Sequence, residues 1–105
     1  MENMKYLKFK VAGQRLIKSA SLYDYYIVKG SENYLALSFT FSEEWFDVPK
    51  AVVFNNGSDY EPIVDGVCLI PAEVLENDSI MFSVIGGSAD MTIVTNTVTL
   101  TQQEG

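Results

Sequence analysis

At 105 residues, with 48% hydrophobic and 20% charged side chains, the chain reads as one globular domain rather than a disordered segment. A single cysteine excludes an internal disulfide and a thiolate zinc cluster, and the absence of histidine removes the commonest general base and the commonest zinc ligand. The net charge of −7 disfavours nucleic acid, whose phosphates an acidic body repels.

The amino-terminal stretch, residues 1–10, interleaves lysines with apolar residues and has no continuous apolar segment. It does not read as a secretory signal, and no later run approaches membrane-spanning length. The expectation is synthesis and folding in a cytoplasm, without a membrane partner. Charge is distributed unevenly. Lys5, Lys8, Lys10, Arg15 and Lys18 supply five of the seven cations, against Glu2 alone as an anion there, while residues 19–105 carry two cations and thirteen anions. The basic stretch reads as an edge strand guarded by lysines, which oppose edge-to-edge pairing. The alternative is a strand that meets the acidic body of a neighbouring copy or partner.

In chain order, Leu7, Phe9 and Val11 alternate with Lys8 and Lys10, predicting a strand that ends at Gly13. Residues 15–20 are mixed polar and apolar, and residues 21–28 are aromatic and β-branched, favouring extended chain. A turn composition at 29–33 leads into the stretch the chain is organised around, residues 33–45. There Leu35, Leu37, Phe39 and Phe41 alternate with Tyr34, Ala36, Ser38 and Thr40, as in a half-buried antiparallel strand. Residues 42–47 predict one helical turn or tight loop capped by Ser42, and Pro49 disfavours helix just before it.

Residues 50–54 form a short apolar strand. Asn56-Gly57 signals a hairpin through positive φ, with residues 60–64 returning. Asp65-Gly66 is the next turn, and 67–70 a further short strand. Pro71 suits a first helical position, predicting one turn to Leu75. Ile80, Phe82 and Val84 alternate up to Gly86-Gly87, and Ser88 to Asp90 is a loop. Residues 92–101 read as one threonine-rich strand with Val94, Val98 and Leu100 on one face, broken by Asn96. Residues 102–105 read as a polar tail.

Seven or eight short strands with regular turn signals predict an all-β, immunoglobulin-like antiparallel β-sandwich with at most one or two single helical turns. A small closed barrel is the runner-up. The expected organisation is one domain, with its folded core at about 5–101 and its principal core residues Leu35, Leu37, Phe39, Phe41, Trp45, Phe82 and Val84.

Few residues suggest chemistry. Cys68 sits in an apolar strand with no histidine to activate it, so a buried, inert thiol is expected. Asp59, Glu61 and Asp65 do not match an ordered calcium loop, and read as a solvated face. Glu43 and Glu44 are adjacent and diverge on a strand. Gly86-Gly-Ser88 lacks the following lysine and helix of a phosphate cradle. Tyr23 and Tyr25 share one strand face, with Asp24 and Tyr26 opposite. Together with Tyr60 they are candidate aromatics for an interface or for stacking on sugar rings, the alternative being ordinary core or sheet packing. The expectation is therefore no enzyme, no cofactor and no metal, with Lys5, Lys8, Lys10, Tyr23, Tyr25 and Tyr60 as interface candidates.

An ordered set of motifs carries a further reading. They are Tyr6-Leu-Lys-Phe-Lys-Val-Ala-Gly-Gln14, Asn33-Tyr-Leu35, Phe39-Thr-Phe-Ser-Glu-Glu-Trp45, Lys50-Ala-Val-Val-Phe54, Cys68-Leu-Ile-Pro-Ala-Glu-Val-Leu75, Phe82-Ser-Val-Ile-Gly-Gly87 and Thr95-Asn96. In order and spacing the chain resembles the small immunoglobulin-like domain at the N-terminus of tail-fibre and baseplate upper proteins in phages of Gram-positive bacteria. The resemblance spans residues 5–100. It implies a non-enzymatic bacteriophage virion structural protein, docked among other virion proteins as a symmetric oligomer on the tail or capsid surface. Family members commonly continue into a shaft or receptor-binding region, so a chain ending at Gly105 is expected to be an adaptor or decoration module. The alternative function is a carbohydrate-binding module that takes a surface glycan on Tyr23, Tyr25, Tyr60 or Trp45.

Overall fold

The computed structural model describes residues 4–20, 25–31, 34–57 and 59–103. It is all-β, built as two sheets. The first has the order β2 (Arg15–Lys18), β1 (Lys5–Ala12), β4 (Leu35–Phe41), β7 (Val67–Leu69). The second has the order β3 (Ile27–Val28), β10 (Val98–Gln103), β8 (Ser79–Gly87), β5 (Lys50–Phe54), β6 (Asp59–Pro62), and β9 (Thr92–Val94) pairs with β8 off that path.

The period-two residues do what their spacing predicts. Leu7, Phe9 and Val11 on β1, Leu35, Leu37 and Phe39 on β4, and Ile80, Phe82 and Val84 on β8 are all buried in one cluster. Phe82 joins the sheets. Its ring stands nearly perpendicular to Phe9 across the interface, with centroids 5.2 Å apart, and also meets Phe39 and Phe54. Edge-to-face contacts of this kind add to the burial of area alone.

The sheets are mixed, not antiparallel. β1 runs parallel to β4 in register from Lys5↔Leu35 to Val11↔Phe41, and β3 runs parallel to β10. Parallel neighbours need a long crossover, and residues 13–34 supply it between β1 and β4. Alternation records which side of a strand is buried, and a strand reversed end for end keeps the same alternation. β1 is also an inner strand, between β2 and β4. The lysine-guarded edge is thereby corrected. The strand that covers it, β2, escapes a sequence reading because only Leu16 of its four residues is buried.

Ten strands are present among the described residues, against seven or eight expected, partly because residues 92–101 do not form one strand. Thr95 and Asn96 break it. The Thr95 hydroxyl accepts the Val84 backbone N–H at 2.9 Å, and the Asn96 amide bonds both the N–H and C=O of Leu16. Both side chains take the part of a missing backbone ladder. The polar tail is likewise corrected at its start. Gln102 lies in β10, is buried, and donates to the carbonyls of Leu75 and Asn77.

Helical structure among the described residues consists of 3₁₀ turns. Those at Glu43–Trp45 and Val74–Glu76 fall on the two expected helical turns, and Asn55–Gly57 adds another. Ser42 does not cap the first with its side chain. Its hydroxyl oxygen instead accepts the Gly13 N–H at 2.9 Å, tying the β1–β2 turn to the end of β4. The hairpin after β5 closes through four residues, with positive φ at Asn55 and Gly57, and its returning strand begins at Asp59. Asp65-Gly66 forms the expected tight turn. Both residues have positive φ, and Val64 and Val67 exchange two backbone bonds of 3.0 Å across it. That turn carries the chain from the second sheet into the first.

Candidate functional surface

The outward side of β1 presents Tyr6, Lys8 and Lys10, the residues that alternate with its buried ones. Strand pairing sets their neighbours. Tyr6 lies level with Ala36 and Leu69, Lys8 with Ser38 and Val67, and Lys10 with Thr40 and Ile17, while Arg15 sits level with Ala12 one step along. Tyr6, Ile17 and Leu69 are each about 40% exposed, whereas Ala36, between Tyr6 and Leu69, is fully covered. The result is a face of cations and apolar side chains on β2, β1, β4 and β7. These strands carry no carboxylate at all. Among the described residues, Lys8, Lys10 and Arg15 have no ion-pair partner; the ion pair present joins Lys29 to Asp78, where the lysine hydrogen bond holds the Asp78 carboxyl below its usual range.

The remaining interface candidates are scattered. Lys5 belongs to the opposite parity of β1, and its ammonium is bound to the Tyr26 carbonyl at 2.6 Å. Tyr25 is a core residue, which corrects its placement on an outward face. Its ring packs 5.4 Å from Phe9, and its hydroxyl accepts the N–H groups of Ser19 and Ala20 while donating to the Lys8 carbonyl. Tyr60 is 61% exposed, but on the second sheet, level with Val53. Tyr23 lies outside the described residues.

Of the core candidates, Leu35, Leu37, Phe39, Trp45, Phe82 and Val84 are buried. Phe41 is only half-buried, because it ends β4 at the rim, between the Trp45 ring and the Lys50 ammonium. Trp45 is fully buried and therefore offers no stacking platform.

Carboxylates concentrate elsewhere. Glu43, Glu44 and Asp47 cluster just after β4, and Glu73, Glu76, Asp78 and Asp90 lie outside the sheets or at their ends. Glu61, near the end of edge strand β6, and Asp65, in the turn that leads into edge strand β7, lie at that corner, while Asp59 stands at the start of β6, level with Phe54. Among the described residues no cluster of three metal-ligating side chains is present. A shallow groove of about 270 Å³ lined by Pro49, Lys50, Ala51, Ile85, Gly86, Gly87 and Thr92 contains no carboxylate or thiol.

Cys68 is buried, and desolvation, with a smaller contribution from the negative Glu61, pushes its thiol up to about 12. At pH 8 the thiolate is then roughly one part in ten thousand. Iodoacetamide is expected to label Cys68 in urea but hardly at all in buffer; equal rates in both would overturn this. Since the folded thiol keeps its proton above its ordinary value of 9.0, its contribution to stability is full below pH 9 and is lost as pH rises toward 12.

No protein-family model, no curated protein and no solved structure matches this chain. The class established is all-β with two mixed sheets.

Proposed function

We propose that this chain is a bacteriophage virion structural module with an immunoglobulin-like sandwich fold, acting without catalysis as an adaptor or decoration protein in the tail, baseplate or capsid surface. Its partners are other virion proteins and copies of itself, and it uses no cofactor. The ordered motifs between Tyr6 and Asn96 support the family reading. The observation that carries an assembly role is the outward face of β1. Three cations and three exposed apolar side chains share a carboxylate-free sheet face on a chain with twice as many anions as cations. Solvation alone does not require that segregation, since carboxylates solvate a sheet equally well. Protein interfaces combine such apolar patches with charged rims.

The direct test is mass spectrometry and antibody labelling of purified phage particles from a lysate expressing the chain. Its presence at a fixed stoichiometry is the expected result. Recovery only in the soluble fraction would refute the reading.

A second reading, glycan binding, is favoured by one feature. Tyr26 and Tyr34 are both exposed and line a shallow cleft of about 230 Å³ with Lys5 and Ser31. Exposed tyrosine rings beside hydroxyl and ammonium donors suit a sugar. Saturable binding on a glycan array, lost in Tyr26→Ala, would support it, and an empty array would end it.

A further inference from the structure

We infer that the β2–β1 face is a docking surface for the β6–β7 corner of a second copy of this chain, in head-to-tail association. The inference rests on the assembly reading and names the partner of its surface.

The sheet order supplies the argument. In the first sheet, Arg15, Lys8 and Lys10 stand on the outward side of β2 and β1, while β4 and β7 carry no charge at all. Lys18, level with the buried Phe9, turns the other way and sets its ammonium over the Tyr25 ring. Edge strand β6 and the turn that leads from it into edge strand β7 carry Asp59, Glu61 and Asp65. The chain is thus charged oppositely at two separate edges. Two to three strand spacings separate β1 and β2 from β7, roughly 10–14 Å. That exceeds the Debye length of about 8 Å at physiological ionic strength, so the edges do not neutralise each other within one molecule. Each is left to find its complement on another.

The same copy supplies both surfaces, and a basic face meeting an acidic corner is a heterologous contact, which propagates into a ring or a filament. Apolar side chains reinforce it. Tyr6, Ile17 and Leu69 stand among the cations, and Val64, more than 60% exposed, adjoins Asp65, whereas Tyr60 lies on the opposite side of β6 from Asp59 and Glu61. The available area sets the strength. Four strands of this length offer roughly 400 Å² of sheet, about half of what each partner in a standard interface buries. A single contact is therefore weak and sensitive to salt, and persists through repetition along an assembly.

The test uses sedimentation velocity on the full chain over a range of concentrations at low and high salt. At low salt the average mass is expected to rise with concentration, and high salt to return it to the monomer. Lys8→Glu with Lys10→Glu and, separately, Asp59→Lys with Glu61→Lys should each weaken association at least about tenfold. All four side chains lie at the surface or rim, and circular dichroism with an unchanged melting midpoint certifies the fold. An equimolar mixture of the two double variants is expected to associate again, because each presents the other's complement. A wild-type monomer under every condition overturns the inference, as does association that ignores salt or survives both variants. A monomer found in purified phage particles overturns this contact and leaves the assembly reading standing. Association of a chain absent from particles does the reverse.

Discussion

Trp45→Ala is expected to cost about 3–5 kcal/mol, the range for emptying a buried aromatic site. Against a total stability of roughly 5–15 kcal/mol for a domain, that removes about a fifth or more of the folding free energy. The indole is fully buried, packs 5.5 Å from Phe41, and donates its Nε1–H to the Gly13 carbonyl at 2.7 Å. It therefore holds the end of β4 to the β1–β2 turn. The other side of the ring rests on Gly86, where a methyl group would approach Cζ3 to 2.7 Å. Gly86→Ala alone is expected to cost about 1–3 kcal/mol through overpacking. The double variant should lose less than the sum, because the space left by the indole accepts the methyl. Urea denaturation of the four proteins measures this cycle. Additivity within about 0.5 kcal/mol would mean the two sites do not touch.

Phe82→Ala carries the second large effect, again about 3–5 kcal/mol. Its ring meets Phe9 and Phe39 of the first sheet and Phe54 of its own, so its loss leaves a void at the plane between the sheets. Neighbouring rings are fixed on hydrogen-bonded strands and cannot close that void fully. Phe41→Ala provides the comparison, since Phe41 sits half-exposed at the rim and is expected to cost markedly less. Denaturant midpoints should rank the two in that order. The reverse order would show that the sheets are not joined through Phe82.

These two positions were legible in the sequence to different degrees. Phe82 follows from alternation, because Ile80, Phe82 and Val84 had to point one way on any extended chain. Trp45 was readable as a core plug at the end of β4. Its partners Gly13 and Gly86 were not, since they are brought to it from either side of the molecule. The candidate surface divides in the same way. That Lys8 and Lys10 face opposite to Leu7, Phe9 and Val11 is a property of one strand. That Arg15, Ile17 and Leu69 share their face depends on which strands lie beside β1.

Tyr25 shows the limit most clearly. An aromatic, β-branched stretch favoured extended chain and left Tyr25 open between an outward ring and core packing, and its hydroxyl satisfies three backbone groups of β1 and the segment after β2. A buried tyrosine needs a partner for its hydroxyl, and the partners lie in other segments. Asn96 and Gln102 are similar cases. Each looked like a polar interruption or tail, and each bonds backbone groups far away in the chain.

By itself, then, the sequence determined the all-β class, the inward residues of β1, β4 and β8, the Asp65-Gly66 turn and the segregation of cations toward its start. Local backbone geometry and turn chemistry impose these without reference to any other segment. Tertiary structure alone decided that β1 is an inner strand parallel to β4, that Tyr25 is core, and that the basic face and the acidic corner stand on separate edges. Those features depend on strand order and direction, which are set by the combined packing of distant segments over one core.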